Sequence, residues 1–175
     1  SNAANPLLAA MRERVLAAII AHTPPAGRVL DLGCGPGADV EMLAERGHRV
    51  TAIDWSAAMV EETRARVARA GLAHQVDVLH LGIQELHRLP AGQFETVYSN
   101  FGALNCVESL APLGALARRY LRPSGIVVLG LMSRVCALEV LYFTMTRRRG
   151  LARRRQGAGA VCVPVAGVDV PTFYH

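Results

Sequence analysis

A parallel, doubly wound α/β sheet flanked by helices is the fold class that three stretches of this sequence predict. Val29-Leu30-Asp31-Leu32 is a short apolar run that stops at glycines in alternate positions, Gly33, Gly35 and Gly37, and reads as a buried strand ending in a tight loop. A helical period follows at once over residues 38–46. It has Val40, Met42, Leu43 and Ala44 on its buried side, Asp39, Glu41, Glu45 and Arg46 towards water, and Gly47 as its stop. Val50-Thr51-Ala52-Ile53-Asp54 supplies the next strand. Together these form a right-handed crossover unit whose glycines leave the backbone open to a ligand at the carboxyl end of the first strand.

The other elements are read in chain order. Residues 5–21 carry Leu7, Leu8, Met11, Val15, Leu16, Ile19 and Ile20 at helical spacing, opposite Arg12, Glu13 and Arg14, so this helix packs on the sheet. After Asp54, Ser56 is placed as the N-cap of a helix whose polar side holds Glu61, Glu62, Arg64, Arg66 and Arg69. Residues 75–81 alternate and give a third strand at or beside the sheet edge. Residues 94–105 contain a fourth strand whose exit, residues 99–105, leaves the sheet at its switch point, where ligands bind. Residues 110–121 are helical, and Leu121-Arg122-Pro123-Ser124-Gly125 makes a turn before a fifth strand over residues 126–131. Should that turn require positive φ at Ser124, the cost is ~1 kcal/mol. Residues 133–146 form a mostly apolar helix, and residues 160–165 and 168–173, joined through Ala166-Gly167, form a hairpin.

Composition bounds the function classes. A chain of 175 residues that is 51% hydrophobic suffices for one core, and Ser1-Asn2-Ala3 has the look of a tag-cleavage scar. The sequence divides by composition into residues 1–3, a core over 4–146 and an Arg-rich remainder over 147–175. No apolar stretch approaches the ~20 residues that cross a bilayer, so a soluble, cytoplasmic protein without a membrane partner is expected. Cys34, Cys106, Cys136 and Cys162 are far apart and read as free thiols, with no metal site expected. Residues 1–146 balance 13 Arg against 13 acidic residues, so the whole net charge of +5 comes from the remainder.

The glycine loop fits two cofactor classes. Gly33, Gly35 and Ala38 satisfy G-x-G-x-x-[GA], and Asp54 lies about the ~20 residues further on that a ribose-binding carboxylate requires, which suits an NAD(P)-dependent oxidoreductase. Asp31, however, sits on the strand two residues before Gly33, where it suits the amine of an amino acid and has no use beside a phosphate. The string D-x-G-x-G-x-G resembles the first motif of the class I S-adenosylmethionine-dependent methyltransferases, of the type 11 methyltransferase-domain kind. The segment 94–105 is similar to that family's F-D-x-V-x-S-N motif with Glu95 for Asp, and Leu121-Arg122-Pro123-Ser124-Gly125 is close to its L-x-P-G-G turn. In all, the resemblance covers residues 28–132.

The resemblance implies a Rossmann-like sheet in the order 3-2-1-4-5 and S-adenosylmethionine as cofactor, with S-adenosylhomocysteine as product. Its binding residues would be Asp31, Gly33, Cys34, Gly35, Gly37, Asp54, Trp55, Met59, Ile83, Gln84 and Asn100. Asp54 would hold the ribose hydroxyls, with Trp55 and Met59 against the adenine, unless these two are ordinary core residues. Gly82 stands where many relatives have Asp, which leaves Ile83 and Gln84 to meet the ring. Asn100 would face the methionine part and Asn105 the acceptor; a turn-forming role is the alternative for either.

The implied reaction is in-line attack of a small-molecule acceptor on the sulfonium methyl, governed by positioning, so no catalytic base is assigned. Tyr98, Glu139, Tyr174 and His175 have suitable chemistry for an acceptor that needs one. Arg134 and Glu139 either line the acceptor pocket or form surface contacts. Arg147-Arg148-Arg149 and Arg153-Arg154-Arg155 form a basic segment, read chiefly as solvated, with an anionic acceptor, and then nucleic acid or an anionic membrane surface, as the lesser readings. The family's last helix and antiparallel strand pair are missing by this reading. A shortened chain is therefore expected, with turnover in doubt and an uncovered edge beside the fifth strand through which two copies would pair. A non-catalytic S-adenosylmethionine-binding domain is the alternative function, ahead of the oxidoreductase.

Overall fold

The computed structural model describes residues 6–90, 92–153, 155, 159–165 and 168–175. Residues 1–3 and the Ala166-Gly167 joint lie outside them. Pro6–His22 forms α1, Arg28–Leu32 β1, Ala38–Glu45 α2, Arg49–Asp54 β2, Ala57–Arg69 α3 and Val76–His80 β3. A 3-10 turn at Ile83–Arg88 leads to β4, Phe94–Ser99, and a second at Ala103–Cys106 precedes α4, Ala111–Tyr120, and β5, Leu121–Leu129.

The five strands form one sheet in the order β3-β2-β1-β4-β5. Every neighbouring pair is parallel, with Leu30 opposite Thr51 and Val97, and Ala52 opposite Val78. Val29, Leu30, Leu32, Val50, Ala52, Ile53 and Val97 are all essentially inaccessible. These strands are apolar on successive residues because a parallel sheet with helices on its faces has no solvated side. Leu16 and Ile19 of α1, Val40 and Leu43 of α2, and Val60 and Val67 of α3 are buried as well. Thr23 pins the end of α1 to the sheet: its hydroxyl donates to Ile19 O at 2.6 Å and lies 2.6 Å from the Thr96 hydroxyl on β4.

Two local expectations change. Asp39, read as facing water, is 8% exposed. It lies in the first turn of α2, where the helix dipole favours an anion, and takes Arg12 of α1 and Asn100 as partners. The fifth strand begins at Leu121 rather than residue 126, with a break in register between the pairs Phe94–Leu121 and Thr96–Ile126. The Pro123-Ser124-Gly125 turn is thus an irregularity within β5, and Ser124 carries positive φ, at 70°, rather than adopting a turn type that avoids it.

The chain divides into two compact units, one running to Leu104 and resuming over Leu110–Gly130, the other comprising Asn105–Ser109 and Leu131–His175. This division falls upstream of the change in composition at Arg147. The second unit contains α5, Ala137–Met145, α6, Arg149–Ala152, and the strands β6, Val161–Val165, and β7, Val168–Thr172. The expected hairpin is present: β6 and β7 pair antiparallel from Val161–Thr172 to Val165–Val168, as a sheet of their own rather than an addition to the five-stranded one. Buried Asn105 organises this unit. Its carboxamide donates to Met132 O at 3.0 Å and Phe173 O at 2.6 Å and accepts from Met132 N at 2.8 Å. Its main-chain carbonyl accepts from Phe173 N at 2.6 Å.

Candidate functional site

The loop after β1 is held at both ends. Gly33 N and Cys34 N both donate to Ile53 O of β2, at 2.9 and 3.0 Å, and Gly37, at φ 78°, is the residue that opens α2. A Cβ on Gly33 would lie 2.3 Å from that of Ala103, so close packing requires glycine there. Gly35 is glycine for another reason: a Cβ would meet nothing within 4 Å, so its exposed backbone faces open space. The loop carbonyls are satisfied from α3, by the Thr63 hydroxyl on Gly35 O at 2.8 Å and Arg66 Nε on Pro36 O at 2.7 Å. Neither residue was singled out from the sequence, although Thr63 is a polar residue on the apolar side of its helix.

Asp54, at the carboxyl end of β2, is fixed by two backbone donors: Gly35 N on Oδ2 and Ser56 N on Oδ1, both at 2.9 Å. Ser56 caps α3 as expected, accepting from Met59 N. Trp55 is 61% exposed, which excludes a core role, and Met59 is half-buried. Leu81 N donates to Asp54 O at 3.0 Å and thereby brings the next segment, beginning at Gly82, alongside. Ile83 is buried. The exposed Gln84 carboxamide lies 3.0–3.1 Å from the position of a Cβ on Gly82, so it folds back over that glycine.

Below the loop is a buried acidic network. The Tyr98 hydroxyl donates to Asp31 Oδ2 at 2.6 Å, with Asp31 2% and Tyr98 0% exposed. Burial pushes the Asp31 carboxyl well up from its ordinary range, against the opposing hydrogen bond from Tyr98 and with help from the charges of Asp39 and Asp54. Tyr98 is pushed upward too, by burial and then by Asp31. Its phenol therefore stays protonated and is a donor to Asp31, not a base. Asp39 is raised by burial, opposed by Arg12 and by Asn100. Arg12 Nε lies 2.7 Å from Asp39 Oδ1, and its guanidinium sits 4.7 Å over the Phe101 ring. Asn100 Nδ2 donates to Asp39 Oδ2 at 3.1 Å while its Oδ1 accepts from Phe101 N at 2.9 Å. Arg12 and Asp39 were missed because each looked like part of a solvated helix side. Burial drives the Cys34 thiol up to about 12, so it is an unreactive member of the loop.

In the second unit, Asn105 is a structural residue and not an acceptor contact, because backbone groups take up both ends of its carboxamide. Glu139 is ion-paired with Arg155, whose guanidinium lies 5.0 Å over the buried Tyr174 ring. Arg134 Nε donates to Tyr174 O at 3.0 Å, and His175 Nε2 lies 3.2 Å from Val107 O. Of the four base candidates, Tyr98 and Tyr174 are buried and Glu139 is ion-paired, whereas His175 is exposed.

Residues 29–125 match the model of a family described as a methyltransferase domain. The chain is 35% identical over 119 residues to a malonyl-[acyl-carrier protein] O-methyltransferase of Enterobacter lignolyticus, covering 67% of this chain and 44% of that one. It is 32% identical over 114 residues to a ubiquinone biosynthesis O-methyltransferase of Nitrosococcus oceani, with 65% and 47% covered. Among solved structures, an amino pentose methyltransferase from Micromonospora echinaspora, described as bound to S-adenosylmethionine, superposes with a TM-score of 0.56 at 28% identity, over 69% of this chain and 49% of that one. The chain thus spans about half the length of the curated relatives it matches.

Proposed function

The chain belongs to the methyltransferase-domain family, and from that premise we propose that its sheet-bearing unit binds S-adenosylmethionine at the carboxyl ends of β1 and β2, for methyl transfer to a small-molecule acceptor. The observation that carries this reading is the junction of Gly35 and Asp54. A carboxylate fixed by two backbone N–H groups ends β2 and borders loop backbone with open space above it. That pairing fits a ribose, whose two hydroxyls donate to one carboxylate, beside a glycine that keeps the approach open. Bound there, S-adenosylmethionine supplies a methyl group activated by a sulfonium.

The residues divide the work of holding it. Asp31 answers an amino-acid ammonium, which would draw the carboxyl into its ionised form; Tyr98 keeps the carboxyl oriented by donating to it. Trp55 offers an exposed flat face for a purine, Met59 lies one turn on, and Gln84 offers its carboxamide to the ring edge. Asn100 and Arg12 bracket Asp39 beside the loop and keep its charge compensated. The relatives that methylate a malonyl-[acyl-carrier protein] and act in ubiquinone biosynthesis support a small organic acceptor over nucleic acid. A domain that binds the cofactor without turnover shares all of these features and is separated by product formation alone.

Calorimetric titration with S-adenosylhomocysteine, with NADH in parallel, tests the reading. Micromolar binding of the first alone is expected, with Asp54→Ala weakening it about tenfold or more, equivalent to ~1.4 kcal/mol, while circular dichroism stays unchanged. Binding of NADH instead, or equal affinity in the variant, overturns the assignment.

A further inference from the structure

The helix α5 wears its apolar side outward. Leu138, Leu141, Tyr142 and Met145 are 78%, 57%, 59% and 75% exposed, and their spacing places them on one face of the helix. Val135, 62% exposed, precedes them. The opposite face is held by the half-buried Glu139, Val140 and Phe143, with Glu139 paired to Arg155. A helix on a surface bathed only by water has the reverse arrangement, and an outward stripe of long apolar side chains marks an interaction surface.

The segment that carries the stripe is strongly basic. Residues 131–175 contain seven arginines and two acidic residues, Asp169 and the ion-paired Glu139. Arg134 stands before the helix and exposed Arg147 and Arg148 follow it, with exposed Arg153 beyond α6.

We infer that the stripe Leu138, Leu141, Tyr142 and Met145, with the flanking arginines, is a docking surface for an anionic lipid bilayer. An apolar ridge that enters the acyl boundary, bordered by cations at the level of the headgroups, is the arrangement by which a helix lies on a membrane without crossing it. Among the described residues no helix is long and apolar enough to cross one. The lack of a spanning helix says nothing against such a surface, which the sequence suggests only as a lesser reading of its Arg-rich run. A second copy fits poorly, because arginines stand at both ends of the stripe. A two-fold partner laid along it in either direction meets like charge at its ends. Nucleic acid would engage the arginines yet leave three aliphatic side chains in water, with one exposed aromatic, Tyr142, for stacking. A protein partner would have only the Tyr142 hydroxyl to read along the stripe, whereas a bilayer needs no directional contact.

The test is cosedimentation of the full chain with phosphatidylcholine vesicles with and without phosphatidylglycerol. Binding to the anionic vesicles about tenfold or more tighter than to the neutral ones is expected, falling as salt rises. Leu138→Glu/Leu141→Glu should abolish it with an unchanged circular dichroism spectrum, since both side chains are exposed. Arg147→Glu/Arg148→Glu should weaken it and flatten the salt dependence. Absence of vesicle binding at low salt overturns the inference, and so does undiminished binding by Leu138→Glu/Leu141→Glu. A concentration-dependent dimer that this double variant dissolves assigns the face to a second copy, and an oligonucleotide that displaces the vesicles assigns it to nucleic acid. The outcome is independent of whether S-adenosylhomocysteine binds.

Discussion

A carboxyl group buried against a tyrosine hydroxyl is stable as long as it keeps its proton, and Asp31 is such a group. Its folded-state pKa lies above the unfolded value of about 3.9, so between those two values the folded protein binds more protons than the unfolded chain. Stability attached to Asp31 is therefore complete below about pH 4 and is lost as pH rises through its folded value. Asp31→Asn keeps an acceptor for Tyr98 and removes the ionisation; its melting temperature at neutral pH should exceed that of the parent protein, with a smaller decline from acid to neutral pH. The same variant should bind S-adenosylhomocysteine more weakly and lack the rise in affinity with pH expected of the parent. The two loop glycines separate packing from binding. Gly33→Ala collides with Ala103 and should unfold the loop, whereas Gly35→Ala meets nothing, costs the fold ~1 kcal/mol for its positive φ, and should abolish ligand binding. Thermal melts beside calorimetry distinguish these outcomes.

Among the elements, support for the site comes from behind it. Tyr120, at the end of α4, is buried, and its hydroxyl lies 2.7 Å from Leu86 O and 2.9 Å from Leu89 O, so it anchors the 3-10 turn that carries Ile83 and Gln84. Tyr120→Phe should cost about 1 kcal/mol in a denaturant titration and weaken cofactor binding modestly through a looser turn. Strand β1 was legible because burial on both sheet faces writes an apolar run, β3 because an edge strand alternates, and helices α1 to α3 because a helix writes a 3.6-residue period. The glycine loop and Asp54 were legible because backbone access and a strand-end carboxylate demand those residue types. Asp39 was not, since a charged residue in a helix's first turn is usually solvated and its partners come from α1 and from the end of β4. The start of β5 was misplaced because a proline and a serine at φ 70° look like a turn outside a strand, and only pairing with β4 shows otherwise.

At the scale of the molecule, the division at Leu131 has no compositional signal. The tie that makes it is one carboxamide, and its partners are main-chain atoms, which leave no pattern in the sequence. Asn105→Ala would take from Met132 N and the Phe173 carbonyl their part-buried partner; a loss of about 1 kcal/mol is expected, with rapid proteolysis within Leu131–His175 and a protected sheet-bearing unit. Equal protection of both segments in the variant contradicts this. Because Asn105 grips only the backbone at Met132 and Phe173, the side chains at those two positions are not part of the grip. The junction is a mount, and what it displays at 132 and 173 can be exchanged while the chain path stays put, which makes these the first two positions to randomise in re-engineering this unit.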